Sequence, residues 1–252
     1  MQAQTPQQFI RTLFERAARR FLPCGRGPYY FARGKLGGDP VFTALLKHGL
    51  IPHGARIIDI GCGQGVLGAL LAAAEMAEHW PADYAPAPQG WTLTGIDLRA
   101  RAVRQGRQAL ADLASRITLT VGDARREALP ASDIAVILDV PHYIEYDAQE
   151  DLLRRVHAAL SDNGTLLLRV GDATPTWRFH LTLVVDWLIT LARGTPWPRF
   201  WCRSQPEWLA LLESLGFETT ATPMSAGTPF ANVLFIGRKV SGSDHQSGLR
   251  RT

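Results

Sequence analysis

Ile57-Ile58-Asp59-Ile60 runs straight into Gly61-Cys62-Gly63-Gln64-Gly65, and the chain continues as an apolar, alanine-rich stretch from Val66 to Ala74. A short apolar run, a glycine-rich turn and a longer apolar run predict a buried parallel strand, a tight connection and a helix leaving it. Glycines at alternate positions let the backbone turn sharply and come close to a ligand, which a Cβ would obstruct. The stretch therefore describes a nucleotide-type binding turn at the carboxyl end of a strand and commits the chain to an α/β architecture.

The rest of the chain alternates in the same way. Thr5-Pro6-Gln7-Gln8 carries the cap, first-turn proline and third-position glutamine of a helix start, followed by Phe9, Ile10, Leu13, Phe14, Ala17 and Phe21 at helical spacing. Pro23 to Gly38, rich in glycine and aromatic residues, is expected to be irregular: a connector or a flap over the site. Asp39-Pro40 caps a short helix through Leu50. A second strand, Trp91 to Ile96, ends at Asp97; a helix spans Arg99 to Leu113; a third strand, Ile117 to Val121, ends in Gly122-Asp123-Ala124. A fourth, Ile134 to Leu138, ends at Asp139. Asp147 and Glu150 read as a capping box for a helix to Leu160, stopped by Asn163-Gly164 before a fifth strand, Thr165 to Val170. A helix is expected near Arg178 to Arg193, then a break at Gly194-Thr195-Pro196-Trp197-Pro198, a helix capped by Ser204 and Glu207, and a closing hairpin of Phe217 to Thr222 and Val233 to Val240. The proline-rich segment His79 to Gly90 reads as a surface loop. Residues 1–50 thus form N-terminal helices and a flap, 51–240 the main domain with an aromatic insertion at about 174–204, and 241–252, almost without apolar residues, a disordered tail.

Composition narrows the classes. Hydrophobic residues make up 46% of 252, enough for a full core. The longest apolar stretch, Leu181 to Ala192, is interrupted by Thr182, Asp186 and Thr190 and falls short of the roughly 20 residues a spanning helix needs. The glutamine-rich N-terminus lacks a signal-peptide layout, so a cytoplasmic location is expected. Cys24, Cys62 and Cys202 are an odd, widely separated set that fits reduced thiols rather than a disulfide framework, and no metal site is expected. The net charge of +4 comes from arginines spread over helices, Arg99, Arg101, Arg104 and Arg107 among them, and reads as solvated helix faces rather than a nucleic-acid surface.

A literal G-x-G-x-x-G exists at Gly63, Gly65 and Gly68, so a nicotinamide or flavin dinucleotide is one reading of the turn. The first glycine after the strand is Gly61, however, and an acid stands two residues before it, which a dinucleotide fingerprint does not need. Asp59-Ile60-Gly61-Cys62-Gly63-Gln64-Gly65, Gly95-Ile96-Asp97-Leu98, Gly122-Asp123-Ala124, Asp139-Val140-Pro141-His142-Tyr143 and Ser161-Asp162-Asn163-Gly164-Thr165-Leu166 together resemble, in order, the motifs of class I S-adenosylmethionine-dependent methyltransferases. The resemblance covers about Ile57 to Val170. It implies a Rossmann-like seven-stranded, mostly parallel sheet with helices on both faces, an antiparallel last strand and an N-terminal helical extension. It also implies the cofactor S-adenosylmethionine, with Asp97 receiving both ribose hydroxyls, Asp123 the adenine amine and Ala124 making room for the ring. Gly61 and Gly63 would approach the methionine portion, and Asp59 would bear on it or hold the turn; Cys62, Leu98 and Asp139 complete the expected cofactor surroundings. Asp97 lies 36 positions after Gly61, more than the roughly 20 usual in such units, a surplus that the proline-rich insertion accounts for.

Methyl transfer from a sulfonium is a displacement, in which the protein aligns the acceptor and excludes water. A base matters when the acceptor must lose a proton, and His142, with Tyr143 beside it, is the candidate; a histidine there either takes that proton or hydrogen-bonds the backbone. His180 is a second, weaker candidate. Amino-group methylating members of the family carry an Asn or Asp followed by Pro-Pro and an aromatic, whereas this chain has Asp139-Val140-Pro141-His142-Tyr143, which favours an oxygen or carbon acceptor. Trp177, Trp187, Trp197, Trp201 and Trp208, with Phe179 and Phe200, suit a flat hydrophobic acceptor, or a peripheral membrane or partner contact. In the flap, Tyr30 and Arg33 are expected to line the cofactor, with Lys35 an alternative to Arg33. That segment and its Gly-Asp-Pro-Val-Phe continuation also resemble methyltransferases associated with bacterial aryl-polyene pigment synthesis, implying a phenolic or aryl acyl acceptor that a carrier protein can hold. The alternatives are an RNA methyltransferase and a non-catalytic cofactor-binding partner protein; oligomeric state is left open.

Overall fold

The computed structural model describes residues 5–174, 184, 187, 199–228 and 230–240. Seven strands are ordered β3-β2-β1-β4-β5-β7-β6. The chain divides into two compact units, Met1–Glu127 and Ala128–Thr252.

The first unit begins with α1 (Pro6–Arg19), closed at its start by the expected box: Thr5 Oγ1 accepts from the Gln8 backbone while the Gln8 side chain accepts from the Thr5 backbone. Its inward face is Phe9, Leu13, Phe14, Ala17 and Ala18, the spacing that places apolar residues on one stripe of a helix. The segment expected to be an irregular flap is instead α2 (Arg26–Gly38). Its glycines argued against a helix, but Ala32 and Leu36, four apart, are fully buried, and tertiary burial outweighs the propensity cost of about 1 kcal/mol per glycine. Asp39 then accepts from the Val41 backbone at 3.2 Å and starts α3 (Pro40–Lys47), which is shorter than expected.

Strand β1 (Arg56–Ile60) leads through the glycine turn to α4 (Val66–Glu75), whose residues from Val66 to Ala74 are all buried. Strands β2 (Thr92–Asp97) and β3 (Ile117–Val121) lie parallel to β1 in turn, Asp59 opposite Gly95 and Asp97 opposite Val121. Between them run α5 (Ala100–Ala109) and a short helical turn, Ala111–Leu113. The His79 to Gly90 insertion is only partly a surface loop. Trp80 and Tyr84 pack edge-on against Phe9 of α1 at 5.3 and 6.2 Å, and the Ala85 backbone donates to Lys47.

In the second unit β4 (Ser132–Leu138) pairs parallel with β5 (Leu160–Gly171), which pairs antiparallel with β7 (Asn232–Lys239); β6 (Phe217–Pro223) and β7 form the expected antiparallel hairpin. Helix α6 (Tyr146–Ala159) has Glu145 as its cap residue, with no side-chain cap bond. The box read at Asp147 and Glu150 is therefore not the start of this helix, because the helical turn is already entered at Tyr146. Asn163 and Gly164 sit within β5 rather than before it. Asn163 adopts a left-handed φ of 61° where the β4–β5 register shifts, a local irregularity that lets the strand begin at Leu160. Helix α7 (Gln205–Ser214) starts in the Ser204–Glu207 capping box expected for it. The helix and break expected from Arg178 to Pro198 lie outside the described residues except Val184 and Trp187, which are helical and exposed; the tail from Ser241 also lies outside them. Among the described residues no helix is long and apolar enough to cross a membrane.

Candidate active site

In the first unit the carboxyl ends of β1, β2 and β3 are tied together by main chain. The Gly61 and Cys62 amides both donate to the Ile96 carbonyl, at 2.8 and 3.3 Å, and the Gly122 amide donates to the Asp97 carbonyl at 3.1 Å. Gly61, Gly63 and Gly65 have φ of 80°, 58° and 77°, a region L-residues with side chains rarely adopt, so the turn requires glycine at each. The Cys62 side chain points into the slot left by Gly95: a Cβ on Gly95 would stand 2.7 Å from Cys62 Sγ. Burial, with the charges of Asp59 and Asp97 behind it, raises the thiol far above its usual range, so Cys62 is an uncharged packing group.

Asp97 closes the turn. Its Oδ2 accepts from the Gly63 amide at 2.7 Å and from Arg99 Nη2 at 3.1 Å; its Oδ1 accepts from the Arg99 amide at 2.8 Å and Arg99 Nε at 3.0 Å. Burial works against the ionised form, but Arg99 and the two amides outweigh it and hold the Asp97 carboxyl below the usual carboxylate range. Asp59 is in the opposite state. It is fully enclosed, and burial, helped by the negative charge of Asp97, pushes it up to about 7. Asp123 repeats the arrangement of Asp97 one strand further on. Arg125 donates to it from its amide and from Nε and Nη2, at 2.7 to 3.0 Å, and lowers its pKa. Leu98 is 67% exposed and Ala124 half-buried beside their acids.

Tyr30 and Arg33, expected to line the cofactor, lie on α2, where Tyr30 is exposed against Tyr29 and Arg33 pairs with Glu15 at 3.3 Å. The link between α2 and the glycine turn is a different residue, Gln64, whose buried side chain donates to the Pro28 carbonyl at 2.8 Å.

In the second unit Asp139 follows β4 in a left-handed conformation, φ 60°. It is held there by two contacts with β5: its amide donates to the Arg169 carbonyl at 3.0 Å, and its carboxylate pairs with the buried Arg169 guanidinium. The chain then makes a helical turn, Pro141–Tyr143. His142 lies against Tyr143 with the rings tilted at 48° and centroids 4.0 Å apart, and Phe200 is near both, at 6.1 and 5.9 Å. Burial pushes His142 down to about 4, so its imidazole is neutral at physiological pH. The turn is braced by Gln149, which is buried on α6 and donates to the carbonyls of Pro141, Ile144 and Trp201 at 2.8 to 3.0 Å; the Trp201 amide donates to the His142 carbonyl. Arg203 completes the brace, donating to Gln149 and Glu150 with its guanidinium over the Tyr146 ring. The described end of the aromatic segment, 199–204, is thereby fastened to the turn that carries His142. Of the remaining aromatic candidates, Trp208 is buried in the core of α7, whereas Trp177, Phe179, His180 and Trp197 lie outside the described residues.

Sequence reasoning missed Arg99, Arg125, Gln149 and Arg169. The first two had a visible signal: Asp-Leu-Arg and Asp-Ala-Arg stand at two successive strand ends, Asp97-Leu98-Arg99 and Asp123-Ala124-Arg125. Among the described residues no group of three or more His, Cys, Asp or Glu side chains could hold a metal ion.

The strand order and alternating helices define the class I methyltransferase fold. Residues 58–166 match the family model described as a methyltransferase domain. The structure is similar to that of an O-methyltransferase family protein from Burkholderia thailandensis (TM-score 0.59, 17% identity, 91% of this chain and 64% of that one). It is also similar to the mitomycin 7-O-methyltransferase MmcR (0.61, 21%, 94% and 69%) and to magnesium protoporphyrin IX methyltransferase from Synechocystis PCC 6803, solved with bound SAH (0.55, 16%, 95% and 89%). The chain thus spans less than two thirds of the first of these. A comparison with curated proteins finds no match. Residues 58–166 thus match a methyltransferase domain, and the fold is the one these methyltransferases share.

The donor set fits that cofactor. A buried carboxylate at the end of β2, a second acid at the end of β3, and a turn that must be glycine at Gly61, Gly63 and Gly65 are of the chemical types that would hold a diol, an amine and a closely approaching ligand.

Proposed function

We propose that this chain transfers a methyl group from S-adenosylmethionine to an oxygen or carbon of a small, flat, hydrophobic acceptor, a phenolic or aryl acyl compound either free or held on a carrier protein. The observation that carries the reading of the acceptor is the His142–Tyr143–Phe200 aromatic cluster on the braced turn after β4. Such a surface favours an aromatic ring through stacking, and its lack of a paired-proline amine motif favours oxygen or carbon. The resemblance of the motifs to the family, and of the fold to O-methyltransferases, supports the same reading.

Once bound, the cofactor supplies a methyl group on a positively charged sulfur. The protein's part is binding and alignment. Asp97 and the Gly61 to Gly65 turn fix the nucleoside and methionine ends, and Asp123 with Ala124 fixes the base. Asp139, Gln149 and Arg203 hold the turn so that His142 and Tyr143 keep one orientation toward the acceptor. His142, neutral because it is buried, would take the proton that an acceptor hydroxyl loses when it is methylated. We place the reaction in the cytoplasm, a reading supported by the odd, widely separated set of three cysteines.

The test has two stages. Calorimetry with S-adenosylhomocysteine should give saturable heat that Asp97→Ala abolishes. Labelled methyl should then pass from the cofactor to members of a panel of phenols and hydroxyaryl acids, offered free and as carrier-protein thioesters beside bulk RNA. Label in RNA alone overturns the small-molecule reading, and cofactor binding with no label anywhere favours a non-catalytic partner.

A further inference from the structure

The Asp97 carboxylate is saturated. An ionised carboxylate offers about four acceptor positions, and here Oδ1 receives the Arg99 amide and Nε while Oδ2 receives the Gly63 amide and Arg99 Nη2. The two amides belong to the backbone that forms the turn and the entrance to α5. The other two positions are filled by one side chain, which is 45% exposed. Arg99 also covers the turn: a Cβ on Gly63 would stand 3.0 Å from its Nη2. A ribose diol brings two hydroxyl donors and finds every acceptor position on Asp97 already used.

We propose that Arg99 is an exchangeable occupant of the nucleoside site, its Nε and Nη2 holding the two positions on Asp97 that a ribose diol takes, so that Arg99 must swing off for the diol to bind. This rests on the reading of Asp97 as the diol acceptor. Arg99 therefore sets the affinity for the cofactor and its salt dependence without itself contacting the ribose. Asp123 carries the same device: Arg125 donates to both of its oxygens through Nε and to Oδ2 through Nη2. With both arginines in place the two acids are covered before a nucleoside arrives, and both guanidinium groups would stand in solvent once it is seated.

The sign follows from what the exchange breaks. Opening the Arg99–Asp97 pair costs free energy that binding must supply, and a partly exposed pair of this kind weakens as salt rises. Removing the guanidinium removes that cost but keeps the Arg99 amide bond to Oδ1. The experiment is calorimetry of the full chain with S-adenosylhomocysteine, adenosine and 2′,3′-dideoxyadenosine at low and high sodium chloride, for the wild type, Arg99→Ala and Arg99→Lys. Arg99→Ala should bind S-adenosylhomocysteine about three- to tenfold more tightly, with Arg99→Lys between it and the wild type, because lysine cannot make the paired contact. The wild type should gain affinity on added salt, and Arg99→Ala should not. Dideoxyadenosine, which lacks the diol, should bind wild type and Arg99→Ala alike.

Equal or weaker S-adenosylhomocysteine binding by Arg99→Ala overturns the exchange while the cofactor reading stands. So does an equal gain for dideoxyadenosine and adenosine. If the folded wild type binds S-adenosylhomocysteine no better than Asp97→Ala does, the assignment of Asp97 has failed instead.

Discussion

Gly106 offers a test in which two physical effects give opposite signs. It lies within α5, where alanine is ordinarily preferred to glycine by about 1 kcal/mol, so propensity alone expects Gly106→Ala to stabilise. The packing says otherwise. An added Cβ would stand 2.6 Å from the Gln64 carbonyl oxygen, 2.9 Å from its carbonyl carbon and 2.6 Å from Leu119 Cδ1. Leu119 can adjust, but the Gln64 backbone belongs to the glycine turn and is held by the Gly61 and Gly65 amide bonds on either side. Overpacking of this kind costs about 1 to 3 kcal/mol, and a backbone obstacle puts the cost at the upper end. The net expectation is a loss of about 2 kcal/mol, a fall in Tm of roughly 4 to 8 °C for a chain of this size. Gly34→Ala on α2 is the control, because a Cβ there meets nothing within 4 Å and only the propensity gain should be seen. Thermal unfolding of both variants by circular dichroism, with S-adenosylhomocysteine titrations, reads the outcome. Gly106→Ala should lose stability and cofactor affinity together while Gly34→Ala gains stability alone. An unchanged or raised Tm for Gly106→Ala would refute the argument that α5 seats the glycine turn.

Asp59, raised to about 7 against an ordinary value of 3.8, is protonated in the fold at pH 6 and should lose that proton when the methionine ammonium is bound beside it. Binding heats for S-adenosylhomocysteine at pH 6 should therefore differ between buffers of different ionisation enthalpy, and not in Asp59→Asn. The same shift makes the acid's contribution to stability greatest below about pH 4 and progressively lost toward pH 7, so Asp59→Asn should gain on the wild type in urea midpoints as pH rises across that window. His142 runs the other way: its folded value of about 4 lies below the ordinary 6.5, so its contribution is present above 6.5 and lost as pH falls toward 4, and His142→Gln should flatten that part of the stability profile. Gln149→Leu strands three carbonyls that share its amide, and should cost about 2 to 3 kcal/mol in chemical unfolding. An unfolding midpoint within error of the wild type would show that the turn after β4 does not depend on this brace.

The parts of the fold legible in the sequence are those where one local pattern has one physical meaning. The apolar run into Gly61-Cys62-Gly63-Gln64-Gly65 and the acids at Asp97, Asp123 and Asp139 mark strand ends, because a charge inside a buried strand is costly unless it is paired or neutralised. Helix α2 was not legible: four glycines argued for a loop, and the burial of Ala32 and Leu36 against α1 is a tertiary fact. The start of α6 was displaced for a related reason, since the spacing of Asp147 and Glu150 imitates a capping box inside the first turn. The arginines of the site were hidden by abundance. With so many arginines along α1 and α5, the pairing of Arg99 with Asp97 could be recognised only from the geometry of a turn that folds the side chain back on the residue two before it. Arg169 and Asp139, thirty residues apart in sequence, meet only through the parallel pairing of β4 and β5.

The seating of Trp80 and Tyr84 on Phe9 has a consequence for how this chain can be shortened. An N-terminal helix and a loop between the first two strands lie far apart in the sequence, yet each supplies half of one apolar contact. Losing either alone would leave the apolar rings of the other open to water, so the two segments depend on each other. Anyone trimming this chain to a minimal scaffold, or moving its loop into another, must carry both pieces or neither.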